Sequence, residues 1–327
     1  MAEATPSDAT AQVVYLYANA GGMAPTVFFE YHDSLEEKRS RAPGVVRVAL
    51  PPRSVQFWSY WERNVVKNAM QGAGLARAKR GSKTKLGHWR IFWGKHFSAA
   101  DFYSRVSAGY KVNHFPGSWV IGRKDRLRSC VGAVARRFPA EYTFLPKTYV
   151  LPADATQLAA AVERSPRDAI WIQKPPAGSC GRGIKLLRRT ECNALLSKCR
   201  KKKKKKKKKV LVQQYIAQPH LIDGKKYDIR VYVLVTSFDP LVVYQFDEGI
   251  VRFCTQAYDL SDFSNKTAHL TNYSLNKDAE GFVANETAEN DGEGSKWSHS
   301  ALYRYINAQV RSNLFLPLPI YFIQTKI

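Results

Sequence analysis

The sequence is short of acidic residues, of paired cysteines and of long apolar runs, and each shortage excludes something. Only 27 Asp and Glu stand against 51 Lys and Arg in 327 residues, a formal charge of +24. Nine of those charges lie in the run Lys201 to Lys209, and removing them still leaves +15. The excess is therefore distributed, and it calls for a polyanionic partner: nucleic acid, a membrane surface or an acidic protein. The five cysteines, Cys130, Cys180, Cys192, Cys199 and Cys254, are odd in number and form no CxxC pair. That argues against a disulfide framework and a zinc site, and fits a reducing compartment. No apolar run approaches the ~18 residues of a membrane span, and the first 25 residues lack the basic start and apolar stretch of a signal peptide. A soluble, intracellular chain without membrane association is the expectation. Core material is plentiful: 45% apolar and 12% aromatic residues exclude a wholly disordered chain. The length suggests about two domains.

Along the chain, residues 1 to about 12 read as a loose polar leader. Val13–Tyr17 and Val27–Tyr31 read as short strands around a Gly21-Gly22 turn. Arg77 to Lys85 is basic and unpatterned, a loop. Asp154 with Gln157 ahead of an Ala/Leu run predicts a helix opened by a capping box. Ile170–Gln173 and Ile184–Leu187 read as strands flanking the glycine-rich KPPAGSCGRGI. Val210–Val212, Ile229–Val235, Leu241–Phe246 and Ile250–Phe253 are further strands. Turns at Asp239-Pro240 and Asp247-Glu248-Gly249 join the last three into an antiparallel meander. Trp297, Ala301, Leu302, Tyr305, Ile306 and Val310 follow helical spacing. Residues 313 to 327 read as an apolar tail broken by Pro317 and Pro319.

Three segments carry candidate chemistry. Backbone amides freed by Gly178, Gly181 and Gly183, with Lys174 just before them, suit phosphate oxygens. A hairpin loop beside a solvated lysine explains the same residues, since the pattern is neither GxxxxGK[ST] nor GxGxxG. In KKYDIRVYV, Lys226, Asp228 and Arg230 lie two apart on one strand face, with Tyr227, Ile229 and Val231 on the other. Such a face is either a solvated edge or a binding surface, because charge inside a sheet is expensive unless it binds something. Arg252 and the polar stretch HLTNYSLNK (269–277) form the third set, for which a polar loop is the plain alternative.

The segments NHFPGSWVIGRKDRL (113–127), WIQKPPAGSCGRGI (171–184), VQQYIAQPHLIDGKKYDIRVYVLVTSFDPL (212–241), GIVRFCTQAYDL (249–260) and HLTNYSLNK together closely resemble the tubulin-tyrosine-ligase-like family. They look most like its polyglutamylase branch, and the resemblance runs from about Gln56 to about Val310. It implies an α+β, ATP-grasp-like ligase. Such an enzyme phosphorylates a side-chain carboxylate of its target with ATP, and the amino group of a free amino acid then displaces the phosphate. By the family pattern Lys174 and Lys226 contact nucleotide phosphates, beneath a loop containing Cys180, Gly181 and Gly183. Gln213, Gln214, Tyr215 and Ile216 form the adenine hinge, and Tyr227, Asp228, Thr271 and Asn272 complete the nucleotide site. Arg252, Tyr273, Ser274 and Lys296 would hold the incoming glutamate, with Arg230 and Arg252 in catalytic positions. Cations around the transferred group suit phosphoryl transfer, and a guanidinium pairs bidentately with a carboxylate.

The implied domains are a leader with first strands (1–30), an N-terminal domain (31–112), a central domain ending in the lysine run (113–209) and a C-terminal ATP-grasp half (210–327). The implied partner is tubulin, through its acidic C-terminal tails, with the chain acting as a monomer. The implied location is cytoplasm and cytoskeleton, extending to cilium, flagellum or basal body. Two departures stand out. Nine lysines replace a shorter mixed loop, and such a block is expected to be solvated and mobile. The family's Mg²⁺ ligands, expected late in the chain as an FGFD-like Asp and an EVN-like Glu and Asn, have no counterpart, for no Asp or Glu follows Glu293. The expectation is a chain that ends before the metal site is built, with no metal ligands of its own. Alternatives are a catalytically dead, microtubule-binding relic, or a glycylase or tyrosine ligase on the same scaffold. A nucleic-acid binder rests on charge alone, without an RNP, KH or helix-turn-helix pattern.

Overall fold

A computed structural model describes residues 14–19, 26–29, 45–49, 55–60, 63–78, 89–96, 106, 110–201, 209–285, 287 and 289–312. The leader, the Gly21-Gly22 turn, the basic stretch beyond Ala78, most of the lysine run and the apolar tail lie outside them. The chain divides into two compact units, residues 1–122 and 123–327. Helices and sheets are mixed in both, an α+β chain. No described helix is long and apolar enough to cross a membrane.

The first unit holds a three-stranded antiparallel sheet, ordered Thr26–Phe29, Val14–Asn19, Val45–Ala49. It also holds a parallel sheet ordered Ala76–Arg77, Gln56–Ser59, Ile91–Trp93, Lys111–Val112. Helix Asn64–Gly72 joins the first parallel pair in sequence, as such crossovers require. Among the described residues of this unit, Phe57, Leu75, Trp89 and Phe92 are the most deeply buried large side chains.

Among the described residues, the second unit is built on two four-stranded antiparallel sheets and a two-stranded ribbon. The first is ordered Lys185–Leu187, Trp171–Lys174, Val210–Gln214, Thr148–Leu151. Because side chains alternate along a strand, its two faces have different tasks. Trp171, Leu187, Val212 and Leu151 pack on one face with Leu158 and Val162 of helix Ala155–Arg164 and Leu196 of helix Arg189–Lys201. Ile170, Ile172, Leu186 and Tyr215 occupy the other, beside Tyr258, Phe263 and Leu270. Asp154 is the residue preceding helix Ala155–Arg164, yet its side chain does not cap it. Its Oδ2 accepts the Val150 amide at 2.8 Å and faces Arg128, so the expected capping box is replaced by a tie back into the preceding strand.

The second sheet corrects the expected meander. Its order is Leu221–Ile222, Lys225–Arg230, Ile250–Phe253, Lys296–Ser298. Val233–Phe238 and Leu241–Gln245 pair only with each other, as a hairpin turned at Asp239-Pro240 and leaving the sheet between Arg230 and Ile250. Burial explains the choice. Val251, Phe253 and Trp297 form a core with Ile222, and Tyr227 packs on it. The ribbon residues Leu234, Phe238, Leu241 and Tyr244 remain exposed. Alternation within a strand does not specify which strand becomes its neighbour. Trp297 is likewise a strand residue, and the amphipathic helix is His299–Ser312. Glu248 accepts the His299 amide at 3.1 Å, placing a carboxylate from a distant turn at the helix N-terminus.

Candidate functional site

Lys174 ends its strand, and its Nζ donates to Gln213 Oε1 at 2.7 Å. Gln213 Nε2 in turn donates to Thr148 Oγ1 at 2.7 Å, and that hydroxyl to the Pro146 carbonyl at 2.8 Å. A fixed amide thus presents only a neutral acceptor to the lysine. Burial, reinforced by Lys124 and Lys226, pulls the Lys174 pKa from 10.5 down to about 8. Lys226 comes from the second sheet. Its Nζ donates to the Tyr215 hydroxyl at 2.8 Å, and burial lowers its pKa too.

Both lysines line one cavity of about 270 Å³ between the two sheets. Of the residues expected around a nucleotide, Gln213, Gln214, Tyr215, Ile216, Asp228, Thr271 and Asn272 line it as well, with Ile172, Ile184 and Leu270 as apolar walls. The glycine-rich loop lies beside it. Gly181 has φ +67°, and a Cβ there would run into Leu275 and crowd Asn272 Oδ1 at 3.2 Å. Cys180 (φ +63°) and Gly183 (φ +71°) share the left-handed region. The loop is held from the other side by Lys124, whose Nζ donates to Gly178 O at 3.2 Å and whose amide donates to Pro176 O. Hydrogen bonds with Ser179 and Ser274 hold the Cys180 thiol below the usual range. Tyr227 is not brought to the cavity. Strand alternation turns it to the opposite face, where its ring packs 5.5 Å from Phe253 and its hydroxyl meets His220 at 3.0 Å.

Of the residues expected to hold the amino acid, Arg252 and Lys296 lie on one row across the second sheet, while Tyr273 and Ser274 lie on the short helix Tyr273–Asn276. Asp228 is register partner to Arg252, and Arg252 to Lys296. Arg252 forks onto Asp228, Nε to Oδ1 at 3.0 Å and Nη2 to Oδ2. Lys296 Nζ sits 3.7 Å above the Tyr273 ring. Tyr273 and Lys296 line a second cavity of about 610 Å³ with Phe282, Asn285 and Asp291. Arg230, exposed at the end of its strand, lines neither cavity. Two residues inside HLTNYSLNK were given no role by the sequence reading. Asn276 is buried and accepts Thr255 N at 2.9 Å while donating to the Leu270 and Asn272 carbonyls, which pins the HLTN segment. His269 is buried beneath Tyr215. The only hint of either was a polar residue inside a run otherwise explained as loop.

The described donors of the first cavity do not fit a divalent cation. Among the described residues Asp228 is the sole carboxylate lining it, and it is paired with Arg252. Among the described residues no group of three or more His, Cys, Asp or Glu is gathered.

These features define a mixed α+β protein with a lysine-lined cleft between two antiparallel sheets. The chain belongs to the tubulin-tyrosine ligase family, whose sequence pattern matches residues 104–325. It is similar to the mouse tubulin monoglutamylase TTLL4, 36% identical over 297 residues, which cover 89% of this chain and 22% of that protein. It is also similar to the human tubulin polyglutamylase TTLL5 (39% over 217 residues, 64% and 16%) and to the Caenorhabditis elegans tubulin polyglutamylase ttll-4 (34% over 256 residues, 77% and 40%). The chain thus spans about a fifth of the length of the mouse relative.

Proposed function

We propose that the chain is the ligase region of an ATP-dependent glutamate ligase acting on the acidic tails of tubulin, with an ATP-grasp-like division of labour between its two sheets. One observation carries the reading. Two half-buried lysines of lowered pKa converge on a cavity whose one carboxylate, among the described residues, is already paired with Arg252. Uncompensated buried cations are costly, and a polyphosphate repays the cost.

In this reading Lys174 and Lys226 draw phosphate oxygens, Gln213 to Ile216 face the base, and the Gly181 loop closes over the phosphates. The incoming glutamate occupies the second cavity, where Tyr273 and Lys296 meet it and Arg252 pairs with its carboxylate. ATP supplies the phosphoryl group that activates the acceptor carboxylate; the amino group of glutamate then forms the isopeptide bond as phosphate leaves. Relatives named as tubulin mono- and polyglutamylases support tubulin as acceptor. The natural extension is a monomer working at the cytoskeleton, in cytoplasm or cilium. The four-part domain division set out from the sequence belongs to the same proposal.

A second reading, nucleotide and microtubule binding without turnover, draws on the metal donor set, which leaves Asp228 paired and alone. Calorimetric titration of ATP into the chain and into Lys174→Ala tests the nucleotide site, where equal affinity would reject it. Labelled glutamate incorporated into tubulin above background decides for the ligase over the non-catalytic reading.

A further inference from the structure

Resting on the reading of the first cavity as a nucleotide site, we infer that His269 is a positioning residue for Lys226, acting through the Tyr215 hydroxyl. The three side chains form one line of hydrogen bonds. Lys226 Nζ lies 2.8 Å from the Tyr215 oxygen, which lies 3.3 Å from His269 Nδ1. His269 Nε2 lies 3.1 Å from the Asp262 carbonyl oxygen.

With the Tyr215 proton directed to His269, hydrogen-bond chemistry orders the whole line. A carbonyl oxygen only accepts, so Nε2 carries the imidazole proton and Nδ1 is left with a lone pair. The Tyr215 O–H donates to that lone pair. Its oxygen then faces Lys226 as a pure acceptor, and an ammonium is a pure donor. Reversing the imidazole would turn the Tyr215 proton towards the lysine and repel it. His269 is 2% exposed and Tyr215 8%. His269 is enclosed edge-on by Tyr215, Tyr258 and Phe263. Burial lowers its pKa below the usual value and keeps it neutral, with Lys226 acting in the same sense and Asp259 and Asp262 opposing.

The device matters because, among the described residues, no carboxylate hydrogen-bonds Lys226. Its position above the Tyr215 ring, 4.4 Å from the centroid, and its single bond to the hydroxyl aim the ammonium into the cavity. Below the pKa of His269 the imidazolium has no lone pair, Nδ1–H competes with Lys226 for the Tyr215 oxygen, and a second cation faces the lysine. Tyr258, whose hydroxyl donates to the Ala217 carbonyl at 2.8 Å, is the other group facing Tyr215 that offers its proton an acceptor.

The experiment is a calorimetric ATP titration of the full chain and of the variants His269→Phe, His269→Asn, Tyr215→Phe, Tyr258→Phe and His269→Phe/Tyr215→Phe, with a melting curve for each. His269→Phe and Tyr215→Phe each weaken ATP binding about ten-fold, the loss of a hydrogen bond to a charged group. The double variant weakens it no further, because both substitutions break one line. His269→Asn, which returns an acceptor near Nδ1, restores most of the affinity, and Tyr258→Phe leaves it unchanged. The parent loses affinity from pH 7 to pH 5 by more than His269→Phe does, the nucleotide's own protonation being common to both. Lowered melting temperature with unchanged affinity in His269→Phe, or additive losses in the double variant, overturns the inference and makes His269 merely structural. Loss of affinity in Tyr258→Phe alone also overturns it, by moving the acceptor. Should Lys226→Ala bind ATP as the parent does, it is the nucleotide reading that fails, a result separable from all of these.

Discussion

Asp228 and Arg252 face each other across the antiparallel pair Lys225–Arg230 and Ile250–Phe253 and close a two-pronged ion pair. Asp228 lines the first cavity, and the register partner of Arg252 on its other side, Lys296, lines the second. The pair therefore lies, along the sheet, between a residue of the first cavity and a residue of the second. Asp228→Asn keeps the shape and removes the charge. With both side chains partly exposed, the expected cost is on the order of 1 kcal/mol, measured by urea denaturation and shrinking in high salt. Freed from its partner, Arg252 in this variant binds glutamate more tightly than in the parent. Unchanged glutamate affinity means that Arg252 does not reach the amino acid.

The Lys174 pKa of about 8 has opposite consequences for folding and for binding. Its folded value lies below the unfolded 10.5, so the charged lysine opposes folding at pH below about 8, and that penalty fades as pH rises from 8 to 10.5. Relative to Lys174→Met, the nucleotide-free chain gains stability across that window. ATP affinity moves the other way, since only the ammonium attracts phosphate, and falls as pH rises above 8. Melting curves and ATP titrations at pH 7, 8, 9 and 10 check both signs. A parent-to-variant ratio of affinities that is flat with pH contradicts the assignment.

Gly249 is a packing requirement of the second sheet. A Cβ there would collide with the Arg230 carbonyl and with the His299 ring, and a backbone oxygen cannot rotate aside. Gly249→Ala should cost roughly 2–4 kcal/mol, whereas Gly224→Ala, where the Cβ meets open space, costs only the strain of its positive φ. Chemical denaturation of the two variants gives the comparison.

Several arginines of the helix Lys124–Ala135 and its flanks are occupied internally. Arg123 pairs with the buried Asp125, and Arg128 reaches the Thr148 carbonyl and Asp154. Arg136 and Arg137 are exposed at the helix end. Under the tubulin reading, Arg136→Glu/Arg137→Glu weakens co-sedimentation with microtubules several-fold without lowering the melting temperature. Arg123→Ala lowers the melting temperature, because Asp125 loses the partner that holds its pKa down. Binding by the parent weakens as salt shortens the Debye length from ~10 Å at 0.1 M to ~3 Å at 1 M. It also disappears on microtubules stripped of their acidic tails. Indifference to the tails assigns the charge to another partner.

The sequence by itself determined the parts that short-range chemistry dictates. Those were the strand runs beside KPPAGSCGRGI, the Asp239-Pro240 hairpin and the amphipathic helix near the end; that Lys174, Lys226 and Gln213 to Ile216 share one site came from the family resemblance, and the structure lines one cavity with them. Period-two alternation even indicated that Tyr227 faces away from Lys226 and Asp228, although the family pattern drew it into the site. Only the tertiary structure decided that Lys225–Arg230 pairs with Ile250–Phe253 and that the intervening hairpin leaves the sheet. Alternation fixes the face of a residue within its strand; the neighbour is chosen by burying Ile222, Val251, Phe253 and Trp297 together. Tertiary structure likewise committed Asp228 to Arg252, and set His269 beneath Tyr215 with a proton order that orients Lys226. Those partners are separated by 24, 54 and 11 residues, and no local pattern records a contact between residues so distant in sequence.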